Sequence, residues 1–517
     1  MGYSYNLFLN PREIEIKFSL ASGVRETLER SGPFLAVKHK LLHQVTTYFD
    51  TEDALLNAAG LSFRIRRDDD GALIQTVKSR ENGFDIAAGR NEWEWPLGSD
   101  LPDVSKLMEI PALAAVAQKI DGRLQAVFVS DIQRTVRLLD LDGNSSVEAV
   151  IDVGTIKSGA ASEDVSELEL ELKSGEVESL YRLASKLLAL APLYIVSESK
   201  AARGWHLRTG QTEGARQATV PQLRTNGRAA EGLQRIINGT LGHLIANIGP
   251  TLRGDPEGLH QMHKALRDTR AALRLFHRHL GKVDGPRFDG ELRDYARVFG
   301  NARDWDVFCL QTLPAAMIDL PAERLRDLQE VAEGQRQMTH AEVLKVLKTA
   351  EFSELLLSIA VWAQAGEKQP SMFGDIQLDK PFLSILPKSL TKAARRVMEK
   401  THRFKSLSAK GLHKLRKAFD NLSNDARFVT SLYPGKDVLR FRKTCKAVKG
   451  VLGSSNDAVV THDLIARLVT KDRPDLEKPA AALGLWTEKK RRKAMKSMKT
   501  ALADFSGSHQ FWMQKRK

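Results

Sequence analysis

Between residues 12 and 205, short segments alternate charged and apolar side chains with a period of two. They are EIEIKF (13–18), LSFRIRR (61–67), LIQTVK (73–78), NEWEWPL (91–97), VEAVID (147–152) and ELELELK (167–173). Period two is the repeat of a β-strand, whose successive side chains point to opposite faces. Glu13, Glu15 and Lys17 therefore share a face, opposite Ile14, Ile16 and Phe18. In the same way Glu167, Glu169, Glu171 and Lys173 oppose Leu168, Leu170 and Leu172, while Ser62, Arg64 and Arg66 oppose Phe63 and Ile65. Glu92 and Glu94 oppose Trp93 and Trp95. A solvated outer face explains any one of these strands. It does not explain why charge sorts by strand, with carboxylates on the first and last and guanidinium groups between. A closed antiparallel barrel with a charged bore does, its apolar faces turned outward against helices.

Charges enclosed in such a bore need partners, because taking them out of water is costly. A complex of a metal with a polyanion supplies both signs. Carboxylates at period two on neighbouring strands offer hard oxygen ligands to Mg²⁺ or Mn²⁺. Arg and Lys grip phosphate oxygens, Arg through its bidentate fork. No Cys or Ser nucleophile with a basic partner suggests itself, which favours direct in-line attack by water. Cys309 and Cys445 lack metal-ligand spacing and read as buried free thiols.

EIEIKF also carries an ExExK signature, and on it the chain resembles the CYTH superfamily, the triphosphate tunnel metalloenzymes. The resemblance continues through TTYFDTEDALLNAAGLSFRIRR, TVK, GRNEWEWPL, EAVIDVG, SELELELKSG and SKAARG, and covers nearly all of residues 11–206. It implies metal ligation by Glu13, Glu15, Glu169 and Glu171, with Glu167 and Asp152 as close candidates. It implies that Lys17, Arg64, Arg66 and Lys78 clamp a triphosphate, joined by Arg134 and by Lys200 and Arg203 of SKAARG. Arg137 is a further candidate, and Glu92 and Glu94 fit either as metal ligands or as groups that orient Arg and Lys. The implied reaction is hydrolysis of the terminal phosphoanhydride bond with Mg²⁺ or Mn²⁺. Inorganic triphosphate, thiamine triphosphate and ATP for cyclisation all suit the bore. Inorganic triphosphate is preferred, since attachment to a helical half is typical of the family's bacterial triphosphatase branch.

Beyond residue 205 the pattern changes. The polar stretch Arg208–Asn226 reads as a linker. From Ala229 apolar residues recur at spacings of three and four nearly to the end, the period of helices. Residues 1–210 hold 24 Lys and Arg against 31 Asp and Glu, whereas residues 211–517 hold 54 against 33. The second half is therefore strongly basic, which points to a polyanionic partner. It also carries a weak internal repeat: LHQMHKALRDTRAALRLF (259–276) resembles LHKLRKAFDNLSNDARFV (412–429), and VFGNARDWDV (298–307) resembles VLGSSNDAVV (451–460). In the first copy Leu259, Met262, Leu266, Leu273 and Phe276 form a core stripe interrupted at Thr269. His260, His263, Arg267, Arg270, Arg274 and His277 form a second stripe with no acid among them. Solvated faces usually mix signs, so this one suggests anion binding. Lys388, Lys392, Arg395, Arg396 and Arg403 form a further basic row.

These features resemble the CHAD domain, a helical domain rich in histidine and basic residues. His260, Arg267 and Arg270 match its HxxR-type helix, and 451–458 and 299–307 its LGxxxD-type helix. In the second copy His413, Arg416 and Lys417 match, whereas Asp420, Asn421, Ser423 and Asn424 depart from basic or aromatic positions. The resemblance implies inorganic polyphosphate bound by His260, His263, Arg267, Arg270, Arg274, His413, Arg416 and Lys417 between two bundles. The expected fold is α+β plus all-α. An antiparallel eight-stranded β-tunnel with flanking helices takes residues 10–208, a linker 209–226, and a pair of four-helix bundles related by the internal repeat 227–517. No apolar run approaches the ~18 residues of a membrane span, and no secretion signal is seen. The expected location is the cytoplasm, with polyphosphate granules as a place of association. One alternative is a catalytically weak polyphosphate-binding or targeting protein. Another, a nucleic-acid binder, is disfavoured because no recognition motif is present and few aromatics lie near the basic rows.

Overall fold

The computed structural model describes residues 13–513 except 31, 36, 80–87, 142, 143, 212, 213, 375, 434 and 509. It divides into two compact units. The first joins Met1–Gln217 with Leu241–Gln261 and Val346–Val361; the second holds Ala218–Thr240, Met262–Lys345 and Trp362–Lys517.

The first unit is built on one antiparallel sheet. Its strands are β1 (Glu13–Leu20), β2 (His39–Asp50), β3 (Leu61–Asp68), β4 (Leu73–Ser79), β5 (Ala88–Arg90), β6 (Glu92–Leu97), β7 (Gln125–Leu141), β8 (Ser145–Ser158), β9 (Ala161–Ser174) and β10 (Leu193–Ile195). The pairing order is β10-β1-β9-β8-β7-β2-β3-β4-β6, with β5 paired to β1 off that path. Among the described residues the sheet has ten strands, where eight were expected. The two additional ones, β5 and β10, have 3 residues each, too few for any period to show.

Register turns the alternation into a single charged face. Glu15 lies opposite Glu171 and Lys17 opposite Glu169. Asp152 lies opposite Glu167 and Arg134 opposite Asp152. Further along, Arg66 pairs with Thr46, Arg64 with Thr76, Thr76 with Glu94 and Lys78 with Glu92. Directly opposed residues point to the same side of a sheet. All of these groups therefore share one face. The Glu13 backbone continues the same parity, opposite Arg90, but its side chain lies outside the described residues.

The other face is apolar. Phe63, Ile65, Val77 and Trp95 pack with Leu113, Ala117 and Ile120 of the helix Pro111–Ile120. Ile16, Phe18, Leu168 and Leu170 are also buried, and each such side chain contributes about 1.5–3 kcal/mol on leaving water. Arg137, a candidate for the phosphate set, is on this apolar side, which corrects that assignment. It lies opposite Ala149, 4% exposed, with its guanidinium carbon 5.2 Å from the Phe34 ring centre and Nη2 3.8 Å from Glu29.

The helix Lys200–Thr209 lies over the charged face instead. Ser199 caps it, its Oγ accepting from the Ala202 N–H at 3.1 Å. Ala201, Trp205 and Leu207 pack on Ile132, Ile156, Val165 and Phe128. Gly204 approaches Phe128 so closely that a Cβ there would lie 2.3 Å from the ring. Gly204→Ala is expected to displace this helix and cost about 1–3 kcal/mol, read as a lower midpoint of urea unfolding. An unchanged midpoint would contradict the packing described.

The rest of the chain is helical. The helix Pro256–Leu275 carries the expected core stripe, and Leu259, Met262, Leu266, Leu273 and Phe276 are all buried. Thr269, the break in the stripe, donates its hydroxyl to the Ala265 carbonyl at 3.0 Å and lies 3.0 Å from the Thr240 hydroxyl. A polar group is thus accommodated in the core by local partners. No helix among the described residues is long and apolar enough to cross a membrane.

Candidate functional site

Strands β8 and β9 bring Asp152, Glu167 and Glu169 together, with one oxygen of each lying within 4.8 Å of the others. Lys17, Lys200 and Arg134 hold them. Lys17 Nζ is 2.7 Å from Glu169 Oε1 and 3.6 Å from Glu167 Oε1. Lys200, in the first turn of its helix, reaches Asp152 Oδ2 at 2.7 Å and Glu169 Oε1 at 3.1 Å, and also pairs with Glu167. Arg134 donates from Nε and Nη2 to the two Asp152 oxygens at 2.8 and 2.6 Å, and its Nη2 lies 3.3 Å from Glu169. Burial works against the charges of Asp152, Glu169, Lys17, Lys200 and Arg134, yet pairing prevails. Lys200 and Arg134 hold the buried Asp152 carboxyl below its ordinary value, and Lys17, Lys200 and Arg134 hold Glu169 well below. Although burial opposes it, the carboxylates raise Lys17 and raise Lys200 strongly.

A second group forms on β3, β4 and β6. Lys78 Nζ lies 2.9 Å from Glu92 Oε2, and Arg64 Nη2 3.7 Å from Glu92 Oε1. Glu94 accepts from the Thr76 hydroxyl at 3.1 Å. Glu92 thus pairs with both Lys78 and Arg64. The Nε–H groups of Arg64 and Arg66 are buried and donate no hydrogen bond to the described residues. Asp68 Oδ1, 3.3 Å from Arg66 Nε, is not aligned to accept one.

Glu15 and Glu171 stand on the same face outside the converging carboxylates. Glu171 pairs with Lys173 at 2.8 Å, and Lys173 also reaches Glu148 at 3.2 Å. Arg203 Nε lies 2.7 Å from Glu163, and its Nη1 3.5 Å from Glu167 Oε2. Glu148 and Glu163 are additions to the expected set. Each shares parity with a predicted neighbour, Asp152 or Glu167, and that parity is the signal that marks them.

In the helical region the expected cations divide. Arg274 lines a cavity of ≈ 700 Å³ together with Arg278, Lys388, Lys392, Arg396 and Lys400. This joins the end of the first stripe to the 388–396 row. Desolvation and the nearby guanidinium groups of Arg278, Arg396 and Arg395 lower the pKa of Lys392. Asp425 also lines this cavity, its carboxyl pushed up to about 7 by burial against the pull of Arg274. Arg267 and Arg270 are instead engaged by acids from other helices: Asp420 at 3.0 Å and Asp289 at 3.0 Å. The stripe that lacks acids along its own helix is thus partly neutralised by its neighbours. His263 lies against Gly300. His413 and Lys417 are exposed and Arg416 half-buried, none of them lining the cavity. His260 is half-buried near the start of the same helix as His263.

The class so defined is a two-part protein, an antiparallel sheet domain with one charged face followed by a basic helical region. Residues 11–205 match the model of the CYTH domain and residues 235–466 that of the CHAD domain, so the chain carries a CYTH domain followed by a CHAD domain. A curated inorganic triphosphatase from Haemophilus influenzae is 30% identical over 207 residues, which are 40% of this chain and 57% of that protein. The match therefore spans little more than half of that relative's length. Among solved structures, the CHAD domain from Ricinus communis is 22% identical with a TM-score of 0.47, covering 59% of this chain and 98% of that one. The putative adenylyl cyclase HpAC1 from Hippeastrum, described as having a dominant triphosphatase activity, is 19% identical with a TM-score of 0.29. It covers 38% of this chain and 96% of its own.

Proposed function

We propose that the chain hydrolyses inorganic triphosphate to diphosphate and phosphate on the charged sheet face, with a divalent cation, and that its helical region binds inorganic polyphosphate. The observation that carries the first part is the sorting of charge on one face, carboxylates around Asp152 and cations from Lys17 round to Lys78. In this reading the face lines a closed tunnel. β5 pairs with β1 and β6 with β4, with only Asn91 between β5 and β6, so the chain steps from one flank of the sheet to the other. The ring then has eight positions, β5, β6 and β10 sharing one. The helical region is read as two bundles related by the internal repeat.

Asp152, Glu167 and Glu169 offer only carboxylate oxygens, the donors a hard divalent cation takes, and such a cation would replace the Lys200 ammonium on which they converge. Mg²⁺ or Mn²⁺ bound there would neutralise phosphate charge and make water more acidic. The chain's own residues do the rest. Arg64 and Arg66 offer buried N–H donors whose desolvation cost a phosphate oxygen would offset. Glu92 and Asp152 fix Lys78 and Arg134 so that these cations need little reordering to meet a triphosphate. The water oxygen bonds to the terminal phosphorus as the bridging P–O bond breaks; diphosphate leaves with the electron pair of that bond, and the proton lost by the water passes to the products or to solvent. No protein nucleophile is needed. The chain's two cysteines have thiols pushed up to about 12 by burial, which leaves them protonated and unreactive.

The test offers the full-length protein triphosphate, ATP, thiamine triphosphate and long-chain polyphosphate, each with Mg²⁺ or Mn²⁺, and measures phosphate released. Triphosphate is expected to turn over fastest. Faster release from an organic triphosphate would change the substrate, and no release from any of them would leave a polyphosphate-binding protein. Polyphosphate binding should weaken steeply with salt, and exceed binding of DNA at equal salt.

A further inference from the structure

Two segments of the helical half, 241–261 and 346–361, belong to the same compact unit as the sheet. Both grip one stretch of chain, 195–199, that runs from the sheet edge into the helix Lys200–Thr209. The Val196 N–H donates to the Lys17 carbonyl at 3.0 Å. The Ile195 N–H donates to Ser353 Oγ at 3.0 Å. The Gly249 N–H donates to Ser197 Oγ at 3.3 Å, and a Cβ on Gly249 would lie 2.4 Å from Glu198 Cγ. Ser199 then caps the helix that delivers Lys200 and Arg203 to the carboxylates.

Arg253, which follows the short helix Ile248–Leu252, ties this stretch to the charged face. Its Nη2 lies 3.1 Å from Glu198 Oε2 and 3.0 and 3.2 Å from the two Glu163 oxygens. Glu163 is shared with Arg203, whose Nε is 2.7 Å away. Arg203 in turn approaches Glu167 at 3.5 Å. The side chains of Arg253, Glu163 and Arg203 are 19%, 24% and 13% exposed, so solvent screens these pairs less than surface pairs. The longest contact in the series is the one from Arg203 to Glu167. Without Arg253, Arg203 is the one cation left to pair with Glu163 among the described residues, and Glu163 draws it from Glu167. Glu198 also loses its cation, which loosens the stretch leading into the helix.

We infer that Arg253 is a positioning residue for triphosphate turnover, holding Arg203 and Lys200 in register with the carboxylates from the helical half of the sequence. This rests on the triphosphatase reading above. Arg253→Ala is expected to raise KM for triphosphate about tenfold with a smaller change in kcat. Arg253→Lys keeps the charge but not the two-pronged reach, and should recover part of the loss. Arg203→Ala and the double variant Arg203→Ala, Arg253→Ala should share one KM, because Arg253 acts through Arg203. Arg297→Ala, at an 81% exposed side chain, is the control expected to match wild type. A merely structural role would lower the folded fraction in urea melts, and with it apparent kcat, at unchanged KM. Wild-type KM in Arg253→Ala, or additive losses in the double variant, would overturn the inference. A wild-type protein inactive on triphosphate would instead remove the reading beneath it.

Discussion

Glutamine in place of Glu169 is expected to lower triphosphate turnover about a thousandfold or more, several kcal/mol of lost transition-state stabilisation. Glu169 meets Lys17, Lys200 and Arg134 at 2.7, 3.1 and 3.3 Å and supplies one corner of the converging carboxylates. The substitution keeps the shape and removes one negative charge, so the sheet should remain intact by circular dichroism while activity is lost. The measurement is steady-state phosphate release across a range of Mg²⁺ and Mn²⁺ concentrations. Turnover within tenfold of wild type would remove Glu169 from the proposed ligand set.

The second large effect falls on stability. Arg134→Ala deprives Asp152, which is 0% exposed, of a bidentate partner at 2.8 and 2.6 Å. Breaking a buried pair from one side costs about 3–5 kcal/mol, because the remaining charge is left undercompensated. The sign of the pH dependence follows from the carboxyls. Asp152 and Glu169 titrate below their ordinary values despite burial, owing to Lys17, Lys200 and Arg134. In the wild type their pairing contributes fully above about pH 4 and is lost as pH falls through the lowered values. In the variant, the penalty exists only while Asp152 is charged. It should be full near pH 7 and shrink toward about pH 3, so that the two stability curves converge in acid. Urea unfolding at both pH values measures this. A penalty that grows on acidification would contradict the account.

Much of the charged face was legible because a strand has an integral period of two. Once EIEIKF and ELELELK are read as strands, the grouping of Glu15 with Lys17, and of Glu167 with Glu169 and Glu171, follows without knowledge of pairing. What the period does not contain is register. Only the pairing of Arg134 with Asp152 and of Lys17 with Glu169 shows which acids meet which bases. Arg137 was misplaced because a long strand, Gln125–Leu141, carries basic residues on both faces. Glu163 shares the parity of Glu167, but its partner Arg253 is 90 residues away in sequence, a contact no local pattern announces. In the helices, the core stripe was legible and the solvent face was not. Asp289 and Asp420, which engage Arg270 and Arg267, arrive from other helices, and their approach depends on packing rather than on spacing.

The interleaving of the first unit has a consequence for how such a chain can change over time. Ser353, Gly249 and Arg253 all contact the stretch that precedes Lys200, though they are encoded after the point where the sequence turns helical. The two halves are therefore not freely exchangeable cassettes. A recombinant that joined this sheet to a foreign helical half would keep every strand yet lack the groups that seat the 200–209 helix. Compatible exchanges would need those contacts rebuilt, so the two halves are expected to drift together rather than apart.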